Sequence, residues 1–228
     1  MTVGIIFAMQ EELKELKEYL TIEKEYKIYD LTFFEAKIND IKCILVESGI
    51  GKVNAARTTQ VLIDHLKVDY ILNIGVAGGI DHSLNVGDII IGEELVQHDF
   101  NIKAFNHERG YIPYIGTFIK TDEYLIKIAE KCLKKAKKGV IASGDIFCTD
   151  SNMSEKINNR FKALCVEMEG AAIAHVCYLC KIPFLIVRVI SDVPNNNNVI
   201  TYEEFLEDSS KKIAKGIFNM LKALGKKE

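Results

Sequence analysis

The chain has 228 residues, 48% of them hydrophobic, and a net charge of −3 from 29 Lys and Arg against 32 Asp and Glu. That supplies one sizeable core, and no linker-like stretch divides residues 1–228, so a single domain is expected. Interspersed charge of both signs argues against nucleic acid or an anionic membrane as the main partner. No apolar run is long enough to span a bilayer.

Thr2 to Ala8 reads as a short apolar strand, and Gln10 to Leu20 carries helical spacing. Residues 22–48 hold three short strand candidates, closing with Ile41 to Glu47, and Gly49-Ile50-Gly51 turns into a helix from Lys52 to Leu66. Tyr70 to Val76 is a buried strand that runs into Ala77-Gly78-Gly79, and Gly87 to Ile91 opens another. Residues 99–118 form a long loop rich in aromatic and polar groups, and a loop of that length inside a compact domain is usually functional.

Leu125, Ile128, Ala129, Cys132 and Leu133 mark one face of the next helix. The run Lys134-Lys135-Ala136-Lys137-Lys138 is expected to end it, where cations suit the helix dipole. Val140 to Ser143 is a strand that runs into Gly144 to Phe147. Ala163 to Val166 is a strand that feeds Glu167-Met168-Glu169-Gly170 and a helix to Leu179. Pro183 to Asp192 is the last strand, Asn195 to Asn198 a polar loop, and Thr201 with Glu204 has capping-box spacing for a final helix. Strands and helices alternate throughout, which predicts an α/β fold with a central mixed sheet flanked by helices.

Six scattered cysteines, mostly in apolar runs, look like reduced core residues of a cytoplasmic protein. No basic region or signal-peptide cleavage pattern precedes the first strand. Cys177-x-x-Cys180 lacks a second pair and the histidines lack ligand spacing, so neither a metal nor a cofactor is expected.

The last strand buries an arginine, Arg188, which is costly unless a carboxylate or polar ligand satisfies it. Asp192 stands four residues on, where ligands sit in open α/β sheets, and a strand-end salt bridge between the two is the plainer reading. Other polar or glycine-rich groups stand at strand exits: Met9 to Glu12, Ser48 to Gly51, Val76 to Gly79, Ser143 to Phe147 and Glu167 to Glu169. Converged, they would make a crevice with three or more carboxylates and an arginine. Taken singly, Glu12 and Glu169 are acids at helix starts, where acids are favoured anyway, and Phe147 is core. Gly49-x-Gly51 lacks the third glycine of a dinucleotide fingerprint.

Together these pieces resemble the 5′-methylthioadenosine/S-adenosylhomocysteine nucleosidases of the nucleoside phosphorylase family. The resemblance runs through Gly4-Ile5-Ile6 with Ala8-Met9 and Glu11-Glu12; Gly49 to Ala56; Asn73 with Gly75 and Ala77-Gly78-Gly79; and Val86-Gly87-Asp88. It continues through Ser143-Gly144-Asp145, Val166 to Glu169, Ala172 to Cys177, and Arg188 with Ile190 to Val193. It implies a nucleoside phosphorylase-like fold and hydrolysis of an N-ribosidic bond in an adenine nucleoside. On that basis Asp192 is the acid that protonates purine N7, with a raised pKa, and Glu12 deprotonates the attacking water. Ser191 and Arg188 orient the acid and organise water, and Glu167 is a further candidate for that network. Glu169 accepts from the ribose hydroxyls, and Met168 packs on the sugar. Phe147 stacks on adenine, the Cys148 backbone reads its edge, and Gly78 belongs to the binding site. Met9, Ile50 and Phe205 line the 5′ thioether end, closed by Phe105 and Pro113 from a second subunit of a homodimer. The family often has serine where this chain has Val76, so any polar role there is lost or moved.

Two other functions stay open on sequence. A purine nucleoside phosphorylase would hold a phosphate dianion, for which arginines suit. The chain has only Arg57, Arg109, Arg160 and Arg188, none within the first fifty residues, and Glu12 would repel phosphate. A non-catalytic nucleoside-binding protein would not need an acid and a base together.

Overall fold

The computed structural model describes residues 1–193 and 198–224, with side chains from residue 210 onward in the second segment. Its strands are β1 (Thr2–Phe7), β2 (Ile22–Ile28), β3 (Leu31–Ile38), β4 (Ile41–Glu47), β5 (Tyr70–Gly79), β6 (Ile89–Gln97), β7 (Ile119–Lys120), β8 (Lys137–Ser143), β9 (Ala163–Glu167) and β10 (Phe184–Asp192). Its helices are α1 (Gln10–Lys17), α2 (Lys52–Leu66), α3 (Glu123–Cys132), α4 (Ser151–Phe161), α5 (Gly170–Cys180) and α6 (Asn198–Leu224). All the strands join one mixed sheet.

β5 organises that sheet. Its first residues run parallel to β1 and its last two pair antiparallel with β9, while its other edge runs parallel to β10. β10 also pairs with β6, β6 with β8, and β8 with β9. So β5, β10, β6, β8 and β9 close into a ring. From β1 the sheet continues outward through β4 and β3 to β2, its open edge among the described strands.

The sequence explains the layering. β1 and β10 are near-continuous apolar runs, as strands covered on both faces must be. Side chains alternate across the sheet. Val3, Ile5 and Phe7 of β1 therefore face Leu13 and Leu16 of α1 and Ile213, Ile217 and Leu221 of α6. Ile6, with Ile44 and Val46 of β4, faces Ala55 and Leu62 of α2 and Ile173 of α5. The same alternation in β10 sets Arg188 in register with Phe184, Ile186 and Ile190, which belong to this second core.

The expected α/β architecture is present, with local differences. The first helix stops at Lys17, short of Leu20. The lysine run does not end α3: Lys134 to Ala136 form the connection and Lys137 and Lys138 begin β8. Lys137 bonds Asp88 at 3.0 Å and Lys138 bonds Glu130 at 2.9 Å, so strand pairing and local acids place them, not a helix dipole. Helix α4 has no counterpart in the sequence reading. Its buried face holds few large apolar residues, Ile157 and Phe161, although the Asp150 carboxylate caps it by accepting from Asn152 N at 2.9 Å. Helix α6 begins at Asn198, so Thr201 lies inside it and not at its cap. Asn195 to Asn197 and the side chains of Thr201, Glu204 and Phe205 lie outside the described residues. Among those described, no helix is long and apolar enough to cross a membrane.

Candidate active site

Between Asn73, where β1 stops pairing with β5, and Gly78, where β9 starts, one edge of β5 has no strand neighbour. The Glu12 carboxylate occupies that gap. Its Oε1 accepts from Val76 N at 3.0 Å, and its Oε2 accepts from Ala8 N at 3.0 Å and Met9 N at 3.2 Å. The last two contacts follow from sequence, because an acid in the third position of a helix reaches back to its capping residue. Gly75 makes the first possible: a Cβ there would stand 2.6 Å from Glu12 Oε1. Burial pushes the Glu12 carboxyl above the usual carboxylate range, while Arg188 and the three N–H groups pull it down.

Arg188 turns away from the role first expected of it. Its Nη2 pairs with Glu167 Oε2 and donates to Asn73 Oδ1 at 2.5 Å, and its Nη1 donates to Val187 O at 3.0 Å. Arg188 is not part of the cavity wall, and no bond to Asp192 is among its contacts. Distance along the strand is the physical reason, since four residues of extended chain span about 13 Å, and the register with β5 also shifts between Ile190 and Asp192. Glu167 is likewise held by protein donors. Ser143 Oγ donates to its Oε1, and Glu169 N at 3.1 Å and Gly170 N at 2.7 Å donate to its Oε2. That makes Glu167 an anchor for Arg188 and for the start of α5 as well as part of the cavity wall. Ser143 and Asn73 complete the network; Ser143 is signalled in the sequence by its place at a strand exit, and Asn73, in the middle of β5, by the family resemblance alone.

Glu169 follows directly. Its Oε1 accepts from Gly51 N at 2.9 Å, so the turn before α2 holds it at the cleft. Burial, and then the charge of Glu167, push its carboxyl up to about 7 against the pull of Arg188 and that N–H. Asp192 is buried at the end of β10, and its Oδ1 accepts from Ser191 Oγ at 2.8 Å. Gly78 lets it lie close to β5: a Cβ there would sit 3.4 Å from Asp192 Oδ2.

These groups face one cavity of about 600 Å³, counting its open mouth, which is within the range of small-molecule sites. Its wall includes Met9, Glu12, Ile50, Gly78, Phe147, Cys148, Glu167, Met168, Glu169, Ser191 and Asp192, joined by Ala8, Val76, Ala77, Ile146 and Val166. Ile50, Ile146 and Phe147 are 53%, 44% and 44% exposed and give the cavity an apolar rim. Val76 is part of this cavity's wall, and its backbone N–H is the group bonded to Glu12. Phe105 and Pro113 are exposed and outside the cavity wall of their own chain. Among the described residues, no group of three or more His, Cys, Asp or Glu is placed to hold a metal. Cys177 and Cys180 are free thiols, Cys177 deep in the second core.

A cleft at strand ends, walled by buried carboxylates and edged by an aromatic ring, defines an enzyme for acid–base chemistry on a small substrate with a flat ring. The chain belongs to the phosphorylase superfamily, whose family model matches residues 2–222. The 5′-methylthioadenosine/S-adenosylhomocysteine nucleosidase of Geobacillus sp. (strain WCH70) is 39% identical over 232 residues, covering 99% of this chain and 100% of that protein. A Helicobacter pylori MTAN Asp-to-Asn mutant, solved with 5′-methylthioadenosine in the active site, matches with a TM-score of 0.94 at 34% identity, over 97% of this chain and 98% of that one. The native futalosine hydrolase of Helicobacter pylori matches with a TM-score of 0.95 at 34% identity, over 98% of each chain.

Proposed function

We propose that this chain hydrolyses the N-ribosidic bond of 5′-methylthioadenosine and S-adenosylhomocysteine, releasing adenine and the thioribose product. The observation that carries the reading is a single cavity holding Glu12 and Asp192 whose described wall contains no arginine or lysine. A phosphorylase must hold a dianion beside the anomeric carbon, and this wall offers carboxylates there instead. The likeness to named nucleosidases over the full chain supports the same assignment.

In this reading the bond from the anomeric carbon to purine N9 breaks and its electron pair goes to the base. Asp192, oriented by Ser191, delivers a proton to N7. Water adds its oxygen to the anomeric carbon and gives a proton to Glu12. A positioned acid of this kind is worth about 10²–10⁴-fold. Glu169 accepts from the ribose hydroxyls, Met168 packs on the sugar, Phe147 stacks on adenine and the Cys148 backbone reads its edge. Arg188 lies behind the wall and is paired with Glu167, which is part of it. Met9 and Ile50 take the thioether end, with Phe205 the remaining expected contact. Phe105 and Pro113 of the partner subunit would close that end in a homodimer, which their exposure on this chain supports. The free cysteines suit a cytoplasmic setting.

Product analysis with and without phosphate tests the reading. Equal adenine release in both, with free thioribose, is expected. Phosphate-dependent formation of a ribose 1-phosphate would overturn it. The same assay on 5′-methylthioadenosine, S-adenosylhomocysteine, 5′-deoxyadenosine and an aminofutalosine-type nucleoside ranks the 5′ substituents.

A further inference from the structure

Two lips of the cleft come from segments far apart in sequence. Ile50 stands on the turn before α2, while Ile146, Phe147 and Cys148 stand on the segment after β8. A polar bridge behind the cleft joins them. Lys52 N, the first N–H of α2, donates to Asp145 Oδ1 at 2.8 Å. Asp145 N donates to Asp99 Oδ2 at 3.0 Å, and Lys52 Nζ closes the loop on Asp99 Oδ1 at 2.6 Å. Lys52 and Asp99 have side chains only 17% exposed. Burial acts to raise the Asp99 carboxyl, but Lys52 and the Asp145 N–H hold it below the usual range. The preceding N–H, that of Gly51, is the one bonded to Glu169. Successive peptide groups thus hold the sugar-side carboxylate and the base-side segment. Gly51 has φ +98°, and a Cβ there would stand 3.3 Å from Asp145 Oδ1. The base-side segment is rooted too: a Cβ on Gly144 would stand 2.3 Å from His98 Nε2.

We propose that Lys52 and Asp99 are positioning residues for base recognition, a clamp that fixes the Phe147 segment relative to the Ile50 turn. The proposal rests on the nucleosidase reading of the site. A largely buried, charge-assisted bridge is a stiff connection: losing Lys52 leaves the Asp99 carboxylate without its cation, and losing Asp99 leaves Lys52 only the longer contact to Asp145 Oδ2 at 3.8 Å. Its work is geometric: it presets the position of the aromatic ring relative to the Ile50 turn, so that the base does not have to order the segment on binding. Neither residue touches the ligand.

The test compares Lys52→Met, Asp99→Asn and the charge-preserving Lys52→Arg in adenine release from 5′-methylthioadenosine and in inhibition by free adenine. Lys52→Met and Asp99→Asn should raise KM and the adenine inhibition constant about tenfold, while kcat falls less than threefold. Lys52→Arg should restore both to within about threefold of the parent. The decisive measurement repeats Lys52→Met in a Phe147→Ala background, where the clamp has no ring to place and the further rise in KM should vanish. An unchanged KM in the single variants, or an equal rise with and without Phe147, overturns the clamp. A loss of kcat and folding stability without the KM rise overturns it as well, since that is the signature of a structural role alone. No adenine release from the parent protein would instead overturn the nucleosidase reading, and the clamp with it.

Discussion

Replacing Gly75 with alanine is a sharp probe of Glu12. Gly75 does not adopt a positive φ, so alanine fits the backbone there without strain. The added Cβ would meet Glu12 Oε1 at 2.6 Å and its carboxyl carbon at 3.3 Å. The carboxylate must retreat by about 0.8 Å to regain ordinary contact. That motion pulls Oε1 off Val76 N, now 3.0 Å away, and strains the two bonds from Ala8 and Met9. Losing one hydrogen bond to a charged group costs about 1.5–3 kcal/mol. Alanine returns about 0.4–1 kcal/mol through a less flexible unfolded chain, which leaves a net loss of about 1–2 kcal/mol. A catalytic group displaced by nearly 1 Å loses about 10²-fold in rate. The assay is kcat/KM for adenine release, read beside denaturant unfolding. The double variant Gly75→Ala with Glu12→Ala should be no slower than Glu12→Ala alone, because the methyl group then has nothing left to displace. A Gly75→Ala protein with activity within threefold of the parent and unchanged stability would refute the placement of Glu12 as the water-activating base.

Asp192→Asn should lower adenine release by about 10²–10⁴-fold, with ligand binding retained in calorimetry. Arg188→Met strands the buried carboxylate of Glu167 and should destabilise the fold by about 3–5 kcal/mol in urea unfolding; adding Glu167→Gln should recover part of that loss. Glu169 is held near 7 by burial and by Glu167, so between the unfolded acid range and pH 7 the folded state binds more protons than the unfolded one. Stability should therefore fall as pH rises through that window, and Glu169→Gln should flatten the decline. Because the ionised carboxylate is the stronger acceptor for the ribose hydroxyls, KM for the nucleoside should fall as pH rises through about 7 in the parent and lose that dependence in Glu169→Gln.

Much of the fold is written in local pattern. Apolar runs of strand length set β1, β5 and β10, with a glycine-bearing end on β5, and the helical spacing of residues 125–133 set α3. Strand exits are also where the cavity wall lies, so Glu12, Glu169 and Asp192 could be gathered from sequence. The partner of Arg188 could not. Burial demanded a carboxylate, and the nearest in sequence was Asp192, but ring closure through β5 and β9 brings Glu167 and Asn73 to the guanidinium. Such a contact depends on strand order, which leaves no periodic trace. Helix α4 escaped because its face is narrow, and the lysine run misled because strand starts tolerate the same cations.

Ring closure has a consequence far from the chemistry. It leaves β2 as the one long strand with an unpaired rim among those described, and that strand reads Ile-Glu-Lys-Glu-Tyr-Lys-Ile. Four charged side chains in seven residues make any foreign strand that adds there dehydrate ions, so the perimeter rejects stacking between molecules. Valines in place of Lys24 and Lys27 would turn that guarded border into a template for fibrous assembly.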